Sequence, residues 1–469
     1  MSVTPKVAVL GAGIAGLSAA FELTRSGVDV VVIDPADRAG GKLRTSPLAG
    51  IDLDESADMF LARLAWGIDL CRDLGLEATL IHPAIGSALV VHEGQLRRLP
   101  EGLVLGVPSD VEAVRASGLL SDAGLARMAE DLARPEGPPE ENLEVDRSVG
   151  ELVRSRLGDE VFEMLVDPLL SGVNAGRADD LSAKLGAAQL FAAAQRDQSL
   201  MRGARAQLGA LPSSGERAPV FAALPGGMGT LIAALVDAIG TDHFRLGETA
   251  TDLVEQPAGR LAVTIGATSE TVDAVVVATP APVSANLLRA HVASVGAQLQ
   301  TLRYASVAII SLAFERAAVP GLLDASGFLV PRRAGLLLTA CSWSSSKFPH
   351  LGADGLVRLR ASVGRSDDTR FVDLEDRDLI LAVRAELASL MGIEAEPVAV
   401  RVNRWPDALP QYQPGHEKRI ALIEADLADH LPRVVLAGAS LRGLGIPACI
   451  DSGRRAARTL IKQLVPTAS

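Results

Sequence analysis

Residues 6–45, KVAVLGAGIAGLSAAFELTRSGVDVVVIDPADRAGGKLRT, constrain the fold of this chain more than any other stretch. The apolar run Lys6 to Leu10 meets Gly11-Ala12-Gly13-Ile14-Ala15-Gly16, an apolar-periodic segment follows as far as Gly27, and a second apolar run closes on Asp34. Strand, tight turn, helix, strand is the order in which a nucleotide-binding α/β unit opens. Gly11 permits the turn, Gly13 lets backbone approach a pyrophosphate, and Gly16 lets helix and strand pack closely. The helix start then offers free N–H groups and a partial positive charge to the phosphates. Asp34 is placed to accept hydrogen bonds from ribose hydroxyls, and its charge argues against a 2′-phosphate. A further pair, Gly40-Gly41, follows where backbone can line an extended dinucleotide.

Size and charge narrow the setting. At 469 residues the chain exceeds one ordinary core, so two or three units are expected. With 48% hydrophobic and 22% charged residues it reads as soluble and globular, and a net charge of −12 argues against nucleic acid as a partner. Cys71, Cys341 and Cys449 are odd in number and form no CxxC, which fits a reducing compartment without a zinc site. Only MSVTP precedes the first strand, so no leader is expected, and no apolar run has transmembrane length. The expected localisation is cytoplasmic, with peripheral contact at the inner membrane face left open.

Residues 51–60 alternate and lead into an amphipathic stretch ending near Gly75, and Glu93-Gly94 marks a hairpin between residues 87–92 and 95–99. From about residue 100 to 207 the pattern is helical, interrupted by an exposed Pro/Glu-rich loop at 134–141. Strands are expected at 244–246, 249–254, 261–265 and 272–277, then at 306–314, 327–330, 336–341 and 356–364, with a helix at 376–391. Residues 434–436 read as a last strand. Gly445-Ile446-Pro447 then opens the terminal helix, Pro447 suiting its first turn. That second helix start offers partial positive charge to a bound anionic group.

Several of these segments carry a resemblance. Gly40-Gly41-Lys42-Leu43-Arg44-Thr45 resembles an element of the flavin amine oxidase superfamily. Pro168-Leu169-Leu170-Ser171-Gly172, Ala340 to His350, Trp405 to His416 with its Pro410-Gln411-Tyr412, and Gly443 to Gly453 resemble, in order, motifs of the flavin-dependent, oxygen-using porphyrinogen oxidases, closest to the Gram-positive branch. Departures are Asn174 where tyrosine is common, Arg177 where an acid is common, and Ala448 where an acid is usual.

The resemblance implies an α/β fold with a discontinuous Rossmann-like FAD-binding domain (1–75, 218–285 and 430–469), a mixed-sheet substrate domain (76–99 and 286–429) and a helical insertion (100–217) facing a membrane or partner. It implies FAD as cofactor, held by Gly11, Ala12, Gly13, Ile14, Ala15, Gly16, Asp34, Gly41, Lys42, Leu43, Ser56, Ala57, Asp58, Met59, Ala250, Trp405, Gly445, Ile446 and Pro447. The implied reaction is six-electron oxidation of coproporphyrinogen III to coproporphyrin III in haem synthesis. FAD takes hydride, and O2 reoxidises it to give H2O2. Protoporphyrinogen IX is the alternative substrate. A flavin amine oxidase, a carotenoid desaturase and a non-enzymatic prenyl-protein chaperone are more distant readings, and transient contact with other haem-pathway enzymes is also implied. No side chain is assigned to catalysis and no metal is expected. His416 reads as a structural hydrogen-bonding residue. An acidic chain binding propionates needs cations at the pocket, and the candidates are Arg63, Lys347, Arg177 and Lys184, with Phe348 as a stacking surface.

Overall fold

The computed structural model describes residues 4–139, 145–209, 219–321 and 323–464. Residues 140 and 141 of the expected Pro/Glu-rich loop and the expected boundary at 217/218 fall outside this range. Five parallel strands form the first sheet, in the order Phe244–Leu246, Asp29–Asp34, Lys6–Leu10, Ala274–Val277, Val434–Leu436. The order reverses direction between Lys6–Leu10 and Ala274–Val277, and the crevice beyond such a switch point is where open α/β sheets bind ligands.

The helix Ile14–Arg25 crosses the terminal helix Ile446–Leu464 on one face of this sheet, and both bury their apolar sides in one core with Leu17, Leu231, Ile450 and Leu460. Close crossing depends on Gly453, where a Cβ would lie 2.0 Å from the Ala15 carbonyl oxygen. The two expected halves of the cofactor site, more than four hundred residues apart in sequence, are thereby pressed together.

A seven-stranded mixed sheet runs Ala399–Pro410, Tyr304–Glu315, Leu356–Val363, Leu338–Trp343, Gly327–Leu329, Leu89–His92, Gln95–Arg98. Only Gly327–Leu329 with Leu89–His92 is a parallel pair. Alternation divides its faces: Leu359, Ala361, Phe328 and Cys341 pack with the helix Asp376–Met391, where Leu379, Val383 and Leu387 are buried. The opposite face, with Arg358, Arg360 and Ala313, meets residues 45–59. Helices from Val111–Ser117 to Leu200–Gly209 pack around a core of their own that includes Phe162, Leu165, Leu190 and Met201.

One sequence expectation changes, and one strand was not expected. Residues 272–277 are not one strand: Thr268–Val272 belongs to a three-stranded antiparallel sheet and Ala274–Val277 to the parallel one. Asp273 is the pivot, its carboxylate accepting the Lys6 amide at 2.8 Å and its own amide donating to the Lys6 carbonyl at 2.7 Å. Ala399–Pro410, which carries Trp405 and two prolines, is a strand of twelve residues. It lies at the sheet edge and its register breaks opposite Ala305–Val307, the setting in which a strand tolerates proline. The Glu93-Gly94 hairpin is present, both residues having positive φ (50° and 74°).

Candidate functional site

The crevice at the switch point is built by Gly11 to Gly16. Gly11 has φ +106°, and a Cβ there would sit 2.9 Å from the Ala278 carbonyl oxygen; at Gly16 it would sit 1.9 Å from the carbonyl oxygen of Gly11. At Gly13, by contrast, a Cβ would meet nothing within 4 Å. The fold leaves this space open next to a helix whose N-cap carries no side-chain hydrogen bond. Open space against free helix N–H groups fits a pyrophosphate.

Asp34 accepts the Ala12 amide on one oxygen (2.7 Å) and the Ala36 amide on the other (2.8 Å), which keeps lone pairs available for ribose hydroxyls. Glu248 donates its amide to the Asp34 carbonyl at 3.1 Å, bringing the chain just before Ala250 alongside. The second glycine pair folds back onto the first: the Gly40 amide donates to the Ala12 carbonyl at 2.8 Å, and Gly41 (φ +55°) approaches the Gly13 Cα. Leu43 is buried in the same core as Ile14 and Ile446. Lys42 Nζ donates to the Ala408 carbonyl at 2.5 Å, and burial pushes its pKa down. Its charge also acts on Cys449, in the first turn of the terminal helix. That helix opens at Ile446, 7% exposed, with Gly445 accepting the Cys449 amide at 3.0 Å and Pro447 packed near Gly67 and Phe60.

Residues 54–59 lie between this cradle and the seven-stranded sheet. Ser56 Oγ donates to the Lys42 carbonyl, and Trp405 Nε1 donates to the Glu55 carbonyl at 3.1 Å. Ala57 is exposed and Met59 packs partly buried beside Leu53 and Phe348. Asp58 Oδ2 lies 2.8 Å from both Lys347 Nζ and Arg360 Nη1. Burial alone would raise the Asp58 carboxyl, but these two cations hold it at about 2. Asp54 accepts from Thr45 Oγ1 (2.6 Å) and the Met228 amide (2.8 Å); burial, outweighing those bonds and the Arg360 charge, pushes it up to about 6.

The structure therefore brings the expected cofactor residues together from four separate parts of the chain. The expected substrate residues are dispersed. Lys347 is 5% exposed and also donates to Ser342 Oγ at 3.1 Å, so its ammonium is committed to neighbours within the fold. Phe348 is 3% exposed in a core with Leu48, Leu53 and Leu351, which leaves no ring face for stacking. Arg177 pairs with Asp179 and Asp367, and Lys184 with Glu417 at 2.6 Å. Arg63 is exposed between the strand Phe60–Leu61 and the helix Ala65–Asp73, with no hydrogen bond or ion pair among the described residues.

Sequence reasoning missed Arg360 and the tyrosine pair, Tyr304 and Tyr412. The signal for Arg360 was present: in LVRLRASV the two arginines fall at alternate positions of an otherwise apolar strand, hence on one face. His416 matches its structural reading, being 1% exposed with Nε2 donating to the carbonyls of Ser440 and Leu441.

A family model described as flavin containing amine oxidoreductase matches residues 14–461, nearly the whole chain. The chain belongs to that family. This flavoprotein is similar to the coproporphyrinogen III oxidase of Bacillus subtilis (strain 168), 33% identical over 460 residues that cover 96% of each protein. It is also similar to the coproporphyrinogen III oxidase of Mycobacterium tuberculosis (strain H37Rv), 34% identical over 471 residues and 97% of each. A crystal structure from Exiguobacterium sp. 255-15, named provisionally as a protoporphyrinogen oxidase, superposes with a TM-score of 0.87 at 29% identity, covering 98% of this chain and 99% of that one. The cofactor of this chain is accordingly a flavin, and the open cradle at Gly13, beside a helix start whose N-cap carries no side-chain hydrogen bond, fits one. Among the described residues no helix is long and apolar enough to cross a membrane, and no cluster of His, Cys, Asp or Glu could hold a metal ion.

Proposed function

We propose that this flavoprotein oxidises coproporphyrinogen III to coproporphyrin III, with FAD as electron acceptor and O2 as oxidant. The observation that carries the reading is near-full-length similarity, at 33–34% identity, to proteins named for that reaction. When bound, FAD would supply two-electron oxidation with O2 as the terminal oxidant, so the removal of six electrons would correspond to three H2O2.

The chain's own residues bind, orient and enclose. Gly11 to Gly16 and Asp34 hold the dinucleotide, with Gly41, Lys42, Leu43 and Ala250 around it. Ser56 to Met59 and Trp405 carry the wall between cofactor and sheet, and the N–H groups at Gly445-Ile446 supply partial positive charge to the ring. The parallel sheet thus serves the cofactor, while the seven-stranded sheet and the helices of residues 111–209 enclose the macrocycle. Positioning and charge carry this catalysis, with no side chain assigned as nucleophile or general base. Of the four candidate cations, Arg63 is the one with capacity left for a propionate among the described residues, because Lys347, Arg177 and Lys184 have carboxylate partners. Three buried, unpaired cysteines suit a cytoplasmic setting.

The test is to supply coproporphyrinogen III and protoporphyrinogen IX separately to the flavin-loaded protein and follow porphyrin fluorescence. Faster oxidation of coproporphyrinogen III supports the proposal; preference for protoporphyrinogen IX would reassign the substrate.

A further inference from the structure

The segment Pro410-Gln411-Tyr412 has no part in the roles assigned above, yet it joins three parts of the molecule. Tyr412, 2% exposed, is one of only two tyrosines in the chain. Its hydroxyl donates to the Ala439 carbonyl and accepts the Gly443 amide at 3.0 Å, bracketing the loop 438–445, which holds the short helix Ala439–Arg442 and leads into the terminal helix. Its carbonyl accepts the Ser182 amide at 2.7 Å from the helical region. Next to it, Gln411 Nε2 donates to the Asn174 carbonyl at 2.9 Å, at the end of the helix Asp167–Asn174, while the Gln411 amide donates to the Arg303 carbonyl at the start of the seven-stranded sheet.

The same loop is held from other sides. His416 Nε2 donates to the Ser440 and Leu441 carbonyls, and the second tyrosine, Tyr304, shares a 2.7 Å hydrogen bond with Ser440 Oγ. Ser452 Oγ accepts the Gly438 amide at 3.0 Å. His416 Nδ1 is buried with no hydrogen-bond partner, and burial keeps the ring's pKa below the ordinary imidazole value. Four side chains thus fix one short loop, which ends at Gly445, where the terminal helix exposes its first N–H groups. Satisfying the loop's buried polar groups accounts for some of these bonds. It does not account for a neighbouring residue anchoring the same structure to the helical region.

We propose that Tyr412 is a positioning residue for the flavin: through Ala439 and Gly443 it sets where the terminal helix start points, and through Gln411 it ties that direction to the helices enclosing the substrate. This rests on the reading of that helix start as part of the flavin site. Since the partial charge there stabilises the reduced ring, moving the loop changes the flavin's electron affinity. Tyr412→Phe removes one acceptor for the Gly443 amide and one donor to Ala439.

Two measurements test this, the midpoint potential of the bound flavin by equilibration with a reference dye, and hydrogen exchange of residues 438–445 in the flavin-free protein. Loss of about one hydrogen bond's net worth corresponds to an about fivefold weaker reduction equilibrium, or about 20 mV more negative at about 30 mV per tenfold for two electrons. Exchange at 438–445 should quicken in the same variant. A Tyr412→Phe protein that melts earlier but keeps both the wild-type potential and the wild-type exchange of this loop would make Tyr412 merely structural and overturn the inference. Should that variant not fold, Gln411→Ala is read in its place: faster exchange at 438–445 supports the coupling, and unchanged exchange overturns it. A wild-type protein that binds no flavin would sink the parent reading, whereas a flavin-loaded Tyr412→Phe protein with both potential and exchange unmoved sinks only this one.

Discussion

Lys347, at the end of the short helix Ser344–Lys347 that follows the strand Leu338–Trp343 of the seven-stranded sheet, reaches Asp58 with its Nζ 2.8 Å from Oδ2, both side chains being largely out of solvent (6% and 15% exposed). Removing one partner of such a pair leaves a buried charge uncompensated, at a cost of about 3–5 kcal/mol. Lys347→Ala should therefore lower the unfolding free energy by about 3 kcal/mol in urea titrations of the flavin-free protein. Arg360 remains beside Asp58 and keeps the loss toward the lower end. An unchanged urea midpoint with a raised KM for the porphyrinogen would instead return Lys347 to the substrate.

The distance between these partners explains why the sequence did not disclose them. Residues 6–45 are legible because their decisive contacts are local: the Gly11 turn, the Ala12 amide on Asp34, the Gly40 amide on Ala12. Lys347 and Asp58 are separated by 289 residues, and nothing in either neighbourhood specifies the other. The Trp405 segment was recognisable by its residues but not as a strand, since Pro406 and Pro410 mask the pattern that an edge position tolerates. The division at Asp273 was hidden because Val272 before it and Ala274 to Val277 after it read as one apolar run, and only pairing partners separate them. Substrate cations were least legible of all: an arginine or lysine in sequence carries no mark of whether a carboxylate will reach it first.

Asp54 and Asp58 make opposite contributions to stability against pH. Asp58, held at about 2, stabilises the fold fully above the unfolded carboxylate pKa, and that stabilisation is lost as pH falls from about 4 toward 2. Asp54, raised to about 6, favours the fold while protonated, so its effect declines as pH rises from about 4 through 6. In Asp54→Asn the decline between pH 4 and 6, on the order of 2 kcal/mol, should disappear from stability curves measured by denaturant. A decline of the same size in the variant would show that another group causes it.

At Gly13 and Gly16 the same substitution should act in different ways. Gly13→Val places its side chain in open space, so the flavin-free protein should melt near the wild-type temperature yet retain no flavin after gel filtration. Gly16→Val drives a Cβ into the Gly11 carbonyl and should prevent folding. Full flavin loading of Gly13→Val would contradict the cradle.

Arg63→Gln should raise KM for coproporphyrinogen III by about tenfold, the worth of a weak charge-assisted hydrogen bond, with kcat little changed. Equal kinetics in variant and wild type would place propionate recognition elsewhere.

The most direct test of the central claim is a stoichiometric one on the purified, flavin-loaded protein. Coproporphyrinogen III is supplied under air, and coproporphyrin III and H2O2 are quantified against a protein-free control. The account predicts three H2O2 for each coproporphyrin formed, well above spontaneous oxidation, and no turnover once O2 is removed. Oxidation no faster than the control would contradict it.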